Sequence, residues 1–231
     1  MVRSAATIVL VHGAWADGSS WNKVIPLLLA KNMPVIAVQL PLTSVQDDLA
    51  ATNRIIADTE RPIVLVGHSW GGMAVTQAGN NPKVMALVYV SAFAPDVGET
   101  GSSLIGAHPA PPALSTIVTD SAGFVYQTVD GMLKNIAPDL PVEEARALAV
   151  TQGRLAGKAF GQPVAIAAWK AKPCWFIVTT EDRVVSTKLQ RAEANRMEAR
   201  VTVIQSSHMS LLSHPGEVAA VIEDAAATVA I

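Results

Sequence analysis

Short apolar runs rich in β-branched residues alternate with helix-forming segments along most of this chain. Such runs stand at residues 7–11, 35–38, 63–66, 84–90, 175–178 and 201–204. An uninterrupted apolar run of this length is typical of a strand that is buried on both faces. Because helical segments separate these strands, the pattern predicts βαβ units, and therefore an α/β fold with helices on both faces of a mostly parallel sheet.

The alternation stops between about residues 96 and 170. Prolines cluster there, and helical segments such as residues 142–150 have no strand beside them. We therefore predict a single domain over residues 1–231. Its core, residues 1–95 and 171–231, carries six strands, and residues 96–170 form a small helical cap inserted after the fourth strand. The predicted core helices begin near residues 19, 43, 71, 186 and 215.

Composition excludes several classes of protein. Half of the 231 residues are apolar and 16% are charged, which suits a chain with a large core rather than a disordered one. The net charge is −2, so we expect no nucleic-acid partner. The single cysteine, Cys174, cannot form an internal disulfide, and there is no zinc-type spacing of Cys and His. We expect no metal and no cofactor.

The apolar start of the chain superficially imitates a secretion signal. Its apolar run ends at His12 and Gly13 with no small-residue cleavage site, so we interpret residues 7–11 as a buried strand. The uncharged stretches 62–82 and 100–119 are broken by Gly, Pro and polar residues, unlike a membrane-spanning helix. We expect a cytoplasmic protein that does not contact membranes.

The pattern G-x-S-x-G occupies residues 67–71, directly after a predicted strand and directly before a predicted helix. A serine at such a junction needs strained backbone, and Gly67 and Gly71 remove side chains that would clash as the helix packs on the strand. The turn places Ser69 at the carboxyl end of the sheet, where open α/β folds bind ligands. Ser69 is therefore the candidate nucleophile; the alternative is an ordinary Gly-rich turn.

A serine nucleophile needs a base, and the base needs a carboxylate that orients it. His208 follows the last predicted strand by four residues and is the candidate base. Asp182, shortly after the strand at 175–178, is the candidate acid, in the chain order expected of this pattern. Glu181 and Asp96 are rival acids, and a surface pair of Asp182 with Arg183 is the structural alternative.

The remaining histidines have weaker claims to a catalytic role. His214 precedes Pro215 and is expected to cap the last helix, and His12 is expected to make structural hydrogen bonds. We expect His68 to point away from the base. His108 lies in the insertion and is a candidate for the substrate pocket, with a solvated loop position as the alternative.

An oxyanion formed during acyl transfer needs hydrogen-bond donors. The backbone N–H of Trp70, at the start of a helix, is one candidate, and that of Ala14, in the loop after the first strand, is the other. Gly13 permits the close turn in that loop. Trp15, Trp21 and Trp70 are candidates for the pocket wall or for the core.

Together, the sequences at residues 11–15, 67–72, 181–183 and 207–209 resemble the α/β-hydrolase superfamily. More narrowly, they are similar to the plant methylesterase and hydroxynitrile lyase group and its bacterial carboxylesterase relatives. The resemblance covers residues 6–95 and 173–230, and it implies an α/β-hydrolase fold with a triad at Ser69, Asp182 and His208. Lyases of the rubber-tree type carry Thr and Lys where this chain has Gly13 and Met209, which favours the esterase branch.

The sequence thus predicts a carboxylesterase-like serine hydrolase that cleaves small, largely apolar esters through an acyl-enzyme. A lactonase, or a hydroxynitrile lyase or C–C bond-cleaving enzyme using the same triad, is the alternative, and a non-catalytic small-molecule binder is less favoured. The expected partner is a small-molecule ester. The resemblance also leaves a homodimer open, since relatives often form dimers.

Overall fold

A six-stranded parallel sheet forms the centre of the computed structural model, which describes residues 6–229. The strands of the described chain are β1 (Thr7–Val11), β2 (Val35–Val38), β3 (Ile63–His68), β4 (Val84–Val90), β5 (Ile117–Thr119), β6 (Phe124–Gln127), β7 (Leu155–Ala156), β8 (Cys174–Thr179) and β9 (Arg200–Ile204). The sheet has the order β2-β1-β3-β4-β8-β9, and all its neighbours pair in parallel. The predicted six-stranded α/β fold is confirmed, and each predicted strand lies within two residues of its observed bounds.

The predicted core helices are present, but the first begins later than expected. The helices are α1 (Ile25–Ala30), α2 (Val45–Asp58), α3 (Gly71–Ala78), α4 (Gly101–Gly106), α5 (Val129–Gly131), α6 (Val142–Thr151), α7 (Thr187–Arg196), α8 (Ser210–Ser213) and α9 (Pro215–Val229). Asp17 caps a separate 3₁₀ turn, Gly18–Trp21, and α1 starts only where Pro26 can occupy its first turn. Ser44 caps α2 by accepting the Asp47 amide.

Helices cover both faces of the sheet. Every residue of β1 and β3 is buried, and successive side chains of a strand point to opposite faces. Helix α3 packs against β1 and β3, and α9 packs against β3, β4 and β8. Helix α2 lies beside α3, and α1 lies beside α9. The apolar strands that the sequence showed are therefore the core of the protein.

The order of the strands brings distant loops together at the carboxyl edge of the sheet. β1 has β2 on one side and β3 on the other, so the order in which strands are added to the sheet reverses at β1. In open α/β sheets, ligands bind at such a topological switch point. Val11 pairs with Gly67, which places the loop after β1 beside the turn after β3. Thr179 pairs with Ile204, which places the loop after β8 beside the loop after β9.

The insertion, residues 96–170, is not purely helical as predicted. Besides α4, α5 and α6 it contains an antiparallel sheet of order β5-β6-β7. These strands are two to four residues long, too short to show an alternating pattern in the sequence. The insertion is joined to the loops at the carboxyl edge, because the Ala113 amide donates to the Arg183 carbonyl (3.0 Å) and Trp15 Nε1 donates to the Val125 carbonyl (3.1 Å).

The beginning of the described chain is a buried strand, as predicted, since all five residues of β1 are buried. Residues 1–5 of the signal-like segment and the predicted core limits at residues 1 and 231 lie outside the described range. From residue 6 to residue 229, no helix combines the length and the hydropathy that a membrane span requires.

Candidate active site

Ser69 lies on a strained turn between β3 and α3. Its φ of 52° falls in the left-handed region, which is uncommon for residues other than glycine. The Ser69 amide donates to the Val90 carbonyl (3.2 Å), and its carbonyl accepts from the amides of Gly72 (3.0 Å) and Phe93 (3.2 Å). Strain that is held by the surrounding structure in this way clusters at functional sites.

Three glycines allow the backbone to approach this turn closely. A Cβ atom on Gly72 would lie 1.9 Å from the Phe93 carbonyl oxygen, and one on Gly71 would lie 2.6 Å from that of His12. A Cβ atom on Gly13 would lie 2.7 Å from the Cβ of Ser69. A side chain at residue 13 would therefore force the serine turn of this chain to shift.

Asp182 and His208 form a buried pair at the adjacent strand ends. His208 Nδ1 donates to Asp182 Oδ2 (2.8 Å), and the two side chains are 4% and 0% exposed. The amides of Val184 (2.8 Å) and Val185 (3.0 Å) donate to Asp182 Oδ1. Because Nδ1 carries the proton that this bond requires, Nε2 of His208 is the nitrogen left to accept a proton.

The rival acids have other partners. Glu181 Oε1 accepts from Gln205 Nε2 (2.9 Å), and Asp96 forms an ion pair with Lys170. Of the three acids considered from the sequence, Asp182 is the one that the structure places against His208.

The backbone beside His208 is held from two sides. His68 Nε2 donates to the His208 carbonyl (3.0 Å), and the two imidazole rings lie 4.7 Å apart. On the other side, Asp139 of the insertion accepts the Ser207 amide (2.9 Å) and the hydroxyls of Ser206 and Ser207. Partial burial raises the pKa of Asp139, but these hydrogen bonds outweigh it, and the pKa lies below its ordinary value.

The expectation that His68 points away from the base is wrong. The loop after β9 folds back across the ends of β8 and β4, so the His68 ring contacts His208 rather than facing away from it. Burial first, and the neighbouring His208 second, lower the pKa of His68 well below its ordinary value. His68 is therefore neutral and anchors the loop.

The two residues whose amides are predicted to bind the oxyanion both line the pocket that contains Ser69. Ala14, Trp15, Ser69 and Trp70 all line this pocket. Within residues 6–229, the backbone N–H groups of Ala14 and Trp70 donate to no other group of the protein. N–H groups without a protein partner in residues that line the pocket of a serine are suited to binding an anion.

The Trp70 side chain is held by a buried carboxylate. Trp70 Nε1 donates to Asp48 Oδ2 (2.9 Å), and the Leu42 amide donates to Asp48 Oδ1 (2.8 Å). Burial raises the pKa of Asp48 to about 6. Asp48 therefore fixes the indole that forms one wall of the Ser69 pocket.

The other two residues considered for the pocket, Trp21 and His108, lie outside the Ser69 pocket. Trp21 is fully buried, with its ring edge-on to that of His68 at 6.4 Å, and belongs to the core. His108 does not line the Ser69 pocket, but it lines a larger space next to it.

No hydrogen bond joins the Ser69 hydroxyl to His208 in the described chain, and catalytic contacts of this kind often tighten only when substrate binds.

His12 and His214 make structural hydrogen bonds, as predicted. His12 Nε2 accepts the Leu40 amide (2.9 Å), and burial lowers the pKa of His12, so that the ring is neutral. The His214 carbonyl accepts the Val218 amide (3.2 Å) at the start of α9. Among the described residues, no group of three or more His, Cys, Asp or Glu side chains is placed to hold a metal ion.

Sequence reasoning missed the polar residues that support the Asp182–His208 pair. Gln190 is fully buried, and its Nε2 donates to Asp182 Oδ2 (2.8 Å), while the Thr179 hydroxyl donates to the same oxygen (3.1 Å). The position of Gln190, in the first turn of the helix after Asp182, is the only sequence signal for this role. Asp139, which is 68 residues from Ser207, has none.

The profile of the "Alpha/beta hydrolase family" matches residues 8–221, which is most of the chain. The chain belongs to this family. The chain is thus a hydrolase, in agreement with the resemblance seen in the sequence motifs.

Two curated relatives match over nearly the whole chain at low identity, and a third matches over a shorter segment. A probable hydrolase of Phoma sp. is 27% identical, covering 95% of this chain and 97% of its own. Methylesterase 2 of Arabidopsis thaliana is 25% identical, covering 90% of each chain. Salicylic acid-binding protein 2 of Nicotiana tabacum is 34% identical over 38% of this chain and 40% of its own.

Solved structures share the fold. Polyneuridine aldehyde esterase superposes with a TM-score of 0.82 at 21% identity, over 96% of this chain and 99% of its own. A pyrethroid hydrolase from Sphingobium faniae superposes with a TM-score of 0.79 at 22% identity, over 96% and 98%. At this identity the likeness shows that the α/β-hydrolase fold is common to all three.

Proposed function

We propose that this protein is a serine esterase that hydrolyses small, largely apolar carboxylic esters through an acyl-enzyme. The observation that carries the proposal is the pair of free amides, Ala14 and Trp70, at the pocket that holds the strained Ser69. The proposed roles are nucleophile for Ser69, general base and acid for His208, and orienting carboxylate for Asp182.

In the first half of the reaction, Ser69 Oγ attacks the ester carbonyl carbon while its proton passes to His208 Nε2. The carbonyl electron pair moves to oxygen, and the amides of Ala14 and Trp70 stabilise this oxyanion, each donor being worth about 10²–10³-fold in rate. When the oxyanion collapses, the C–O bond to the alcohol breaks, and the alcohol leaves with the proton from His208. The product is an acyl-Ser69.

In the second half, water attacks the acyl carbon and gives a proton to His208. Collapse of the second oxyanion breaks the bond to Ser69 Oγ, which takes the proton back as the carboxylic acid leaves. Asp182 keeps the His208 ring in the required tautomer and stabilises the imidazolium through the 2.8 Å bond to Nδ1. Gln190 and Thr179 hold Asp182 in place.

The lining of the Ser69 pocket supports an apolar ester as substrate. Phe93, Ile105, Leu114 and Phe160 are among its walls, and no charged residue lines it. The residue after His208 is the buried Met209, so that position offers no ammonium group for a cyanide leaving group. Relatives of this chain include methylesterases, whose names state ester cleavage, and a pyrethroid hydrolase.

Hydrolysis of p-nitrophenyl acetate by the purified protein tests the proposal. We expect turnover by the wild type, labelling of Ser69 by a fluorophosphonate, and a loss of at least about 10⁴-fold in kcat/KM in Ser69→Ala. Ser19→Ala, which removes an exposed serine hydroxyl, is the matched control and should keep full activity. A folded wild type that neither releases p-nitrophenol nor reacts with the fluorophosphonate would contradict the proposal.

A further inference from the structure

Two spaces of very different size adjoin each other above the sheet. The pocket at Ser69 has a volume of about 20 Å³. The second space, which we call the vestibule, has a volume of about 550 Å³ and lies between segments of the insertion. Its walls include Gly106 at the end of α4, Ile117 of β5 and Val125 of β6.

The same three side chains line both spaces. Ile105, Leu114 and Phe160 contribute to the Ser69 pocket and to the vestibule, and we call them the neck. The Phe160 ring packs against Trp70 with a centroid distance of 5.2 Å. A Cβ atom on Gly101, the first residue of α4, would lie 3.1 Å from Trp70 and 3.2 Å from Phe160. The neck therefore joins the vestibule directly to the wall of the catalytic pocket.

The volumes decide where an ester can lie. A space of about 20 Å³ holds about one water molecule, so it accommodates the reacting carbonyl group and little more. Any larger group attached to that carbonyl has to extend past the neck. The vestibule has room for such a group, and none of its lining residues carries a formal charge apart from the ionisable His108.

We propose that the vestibule is the subsite for the larger apolar group of the ester, and that Ile105, Leu114 and Phe160 determine which esters pass. This inference rests on the proposed esterase function and adds a substrate class to it. Among small, largely apolar esters, that class is the uncharged esters in which one side of the carbonyl carries a methyl-sized group and the other a longer hydrocarbon group.

Filling the vestibule tests the inference without touching the catalytic residues. Gly106 lines the vestibule and its Cβ position has no atom within 4 Å, so Gly106→Trp adds an indole at the edge of this space with no steric conflict at its base. Gly216, in the first turn of α9, has equally open surroundings and lines neither space, so Gly216→Trp is the matched control. Ala110→Trp fills the vestibule from another wall and serves if Gly106→Trp lowers the yield of folded protein.

The assay compares methyl acetate with two long esters, methyl octanoate and octyl acetate, by pH-stat titration. In Gly106→Trp we expect kcat/KM to fall at least about tenfold for one of the long esters, because several methylene groups lose their site, and to change less than twofold for methyl acetate. The long ester that is affected identifies the side of the carbonyl that occupies the vestibule.

The outcomes separate the two proposals. Equal kcat/KM of wild type, Gly106→Trp and Gly216→Trp for both long esters would overturn the vestibule proposal while methyl acetate turnover, lost in Ser69→Ala, leaves the esterase function standing. A similar loss in Gly216→Trp, or an equal loss for methyl acetate, would also overturn it. Absence of hydrolysis of all three esters by the wild type would overturn the esterase function itself.

Discussion

Glu193 of α7 is a buried carboxyl group with one unsatisfied oxygen. Its Oε1 accepts the Ala94 amide (2.8 Å), whereas its Oε2 is buried without a hydrogen-bond partner. Burial raises the pKa of Glu193 from 4.5 to about 8. The carboxyl group is therefore protonated in the folded protein near neutral pH, although it would be ionised in the unfolded chain.

This difference makes the stability of the protein fall as the pH rises. The folded state binds the proton more tightly, so the stability from this group is fully present below about pH 4.5 and is lost as the pH rises to about 8. One pKa unit corresponds to about 1.4 kcal/mol, so the full change is roughly 5 kcal/mol. About 4 kcal/mol of it falls between pH 5 and pH 8.5.

Glu193→Gln removes the titration and keeps an oxygen that can accept the Ala94 amide. The free energy of unfolding, measured by urea denaturation at pH 5 and pH 8.5, should decrease by about 4 kcal/mol more in the wild type than in the variant. Glu60→Gln, which removes an exposed carboxyl group, should follow the wild type. Parallel pH dependences of wild type and Glu193→Gln would refute the reasoning from burial.

Two further substitutions test the construction of the candidate site. In Asp182→Asn, kcat for ester hydrolysis should fall about 10⁴-fold with an unchanged circular dichroism spectrum, because the His208 tautomer is no longer fixed; an activity within tenfold of the wild type would contradict this role. In Gly72→Ala, the new Cβ would lie 1.9 Å from the Phe93 carbonyl oxygen, so unfolding should become about 3 kcal/mol easier and Tm about 6–12 °C lower. Gly216→Ala, with open surroundings, should leave Tm close to that of the wild type, and an equal shift in both variants would disprove the steric argument.

The parts of the fold that could be predicted are those with a strong local signal. Buried parallel strands such as β1 and β4 are continuous apolar runs, and their observed bounds agree with the predicted ones. The short strands β5, β6 and β7 gave no such signal and were missed. The 3₁₀ turn capped by Asp17 has the same local signals as the start of a helix, so the sequence predicts a start of α1 that is too early.

The candidate site was predictable where chemistry alone restricts the choice of residue. The G-x-S-x-G pattern selects Ser69, and the order of strands along the chain suggests Asp182 and His208. The orientation of His68 and the support from Gln190 and Asp139 were not predictable, because each depends on a contact with a residue far away in the chain or on a side chain's direction within a helix.

The amino-acid sequence by itself determined the alternating α/β plan and the glycine-bounded serine turn, because apolar periodicity and backbone freedom are local properties of the chain. The tertiary structure alone decided that Gly13 approaches Ser69, that the His208 loop crosses back to His68, and that a narrow pocket opens into a vestibule. These features depend on the order and register of the strands and on the packing of the insertion. Both are set by interactions between residues that are distant in the sequence, which no local pattern records.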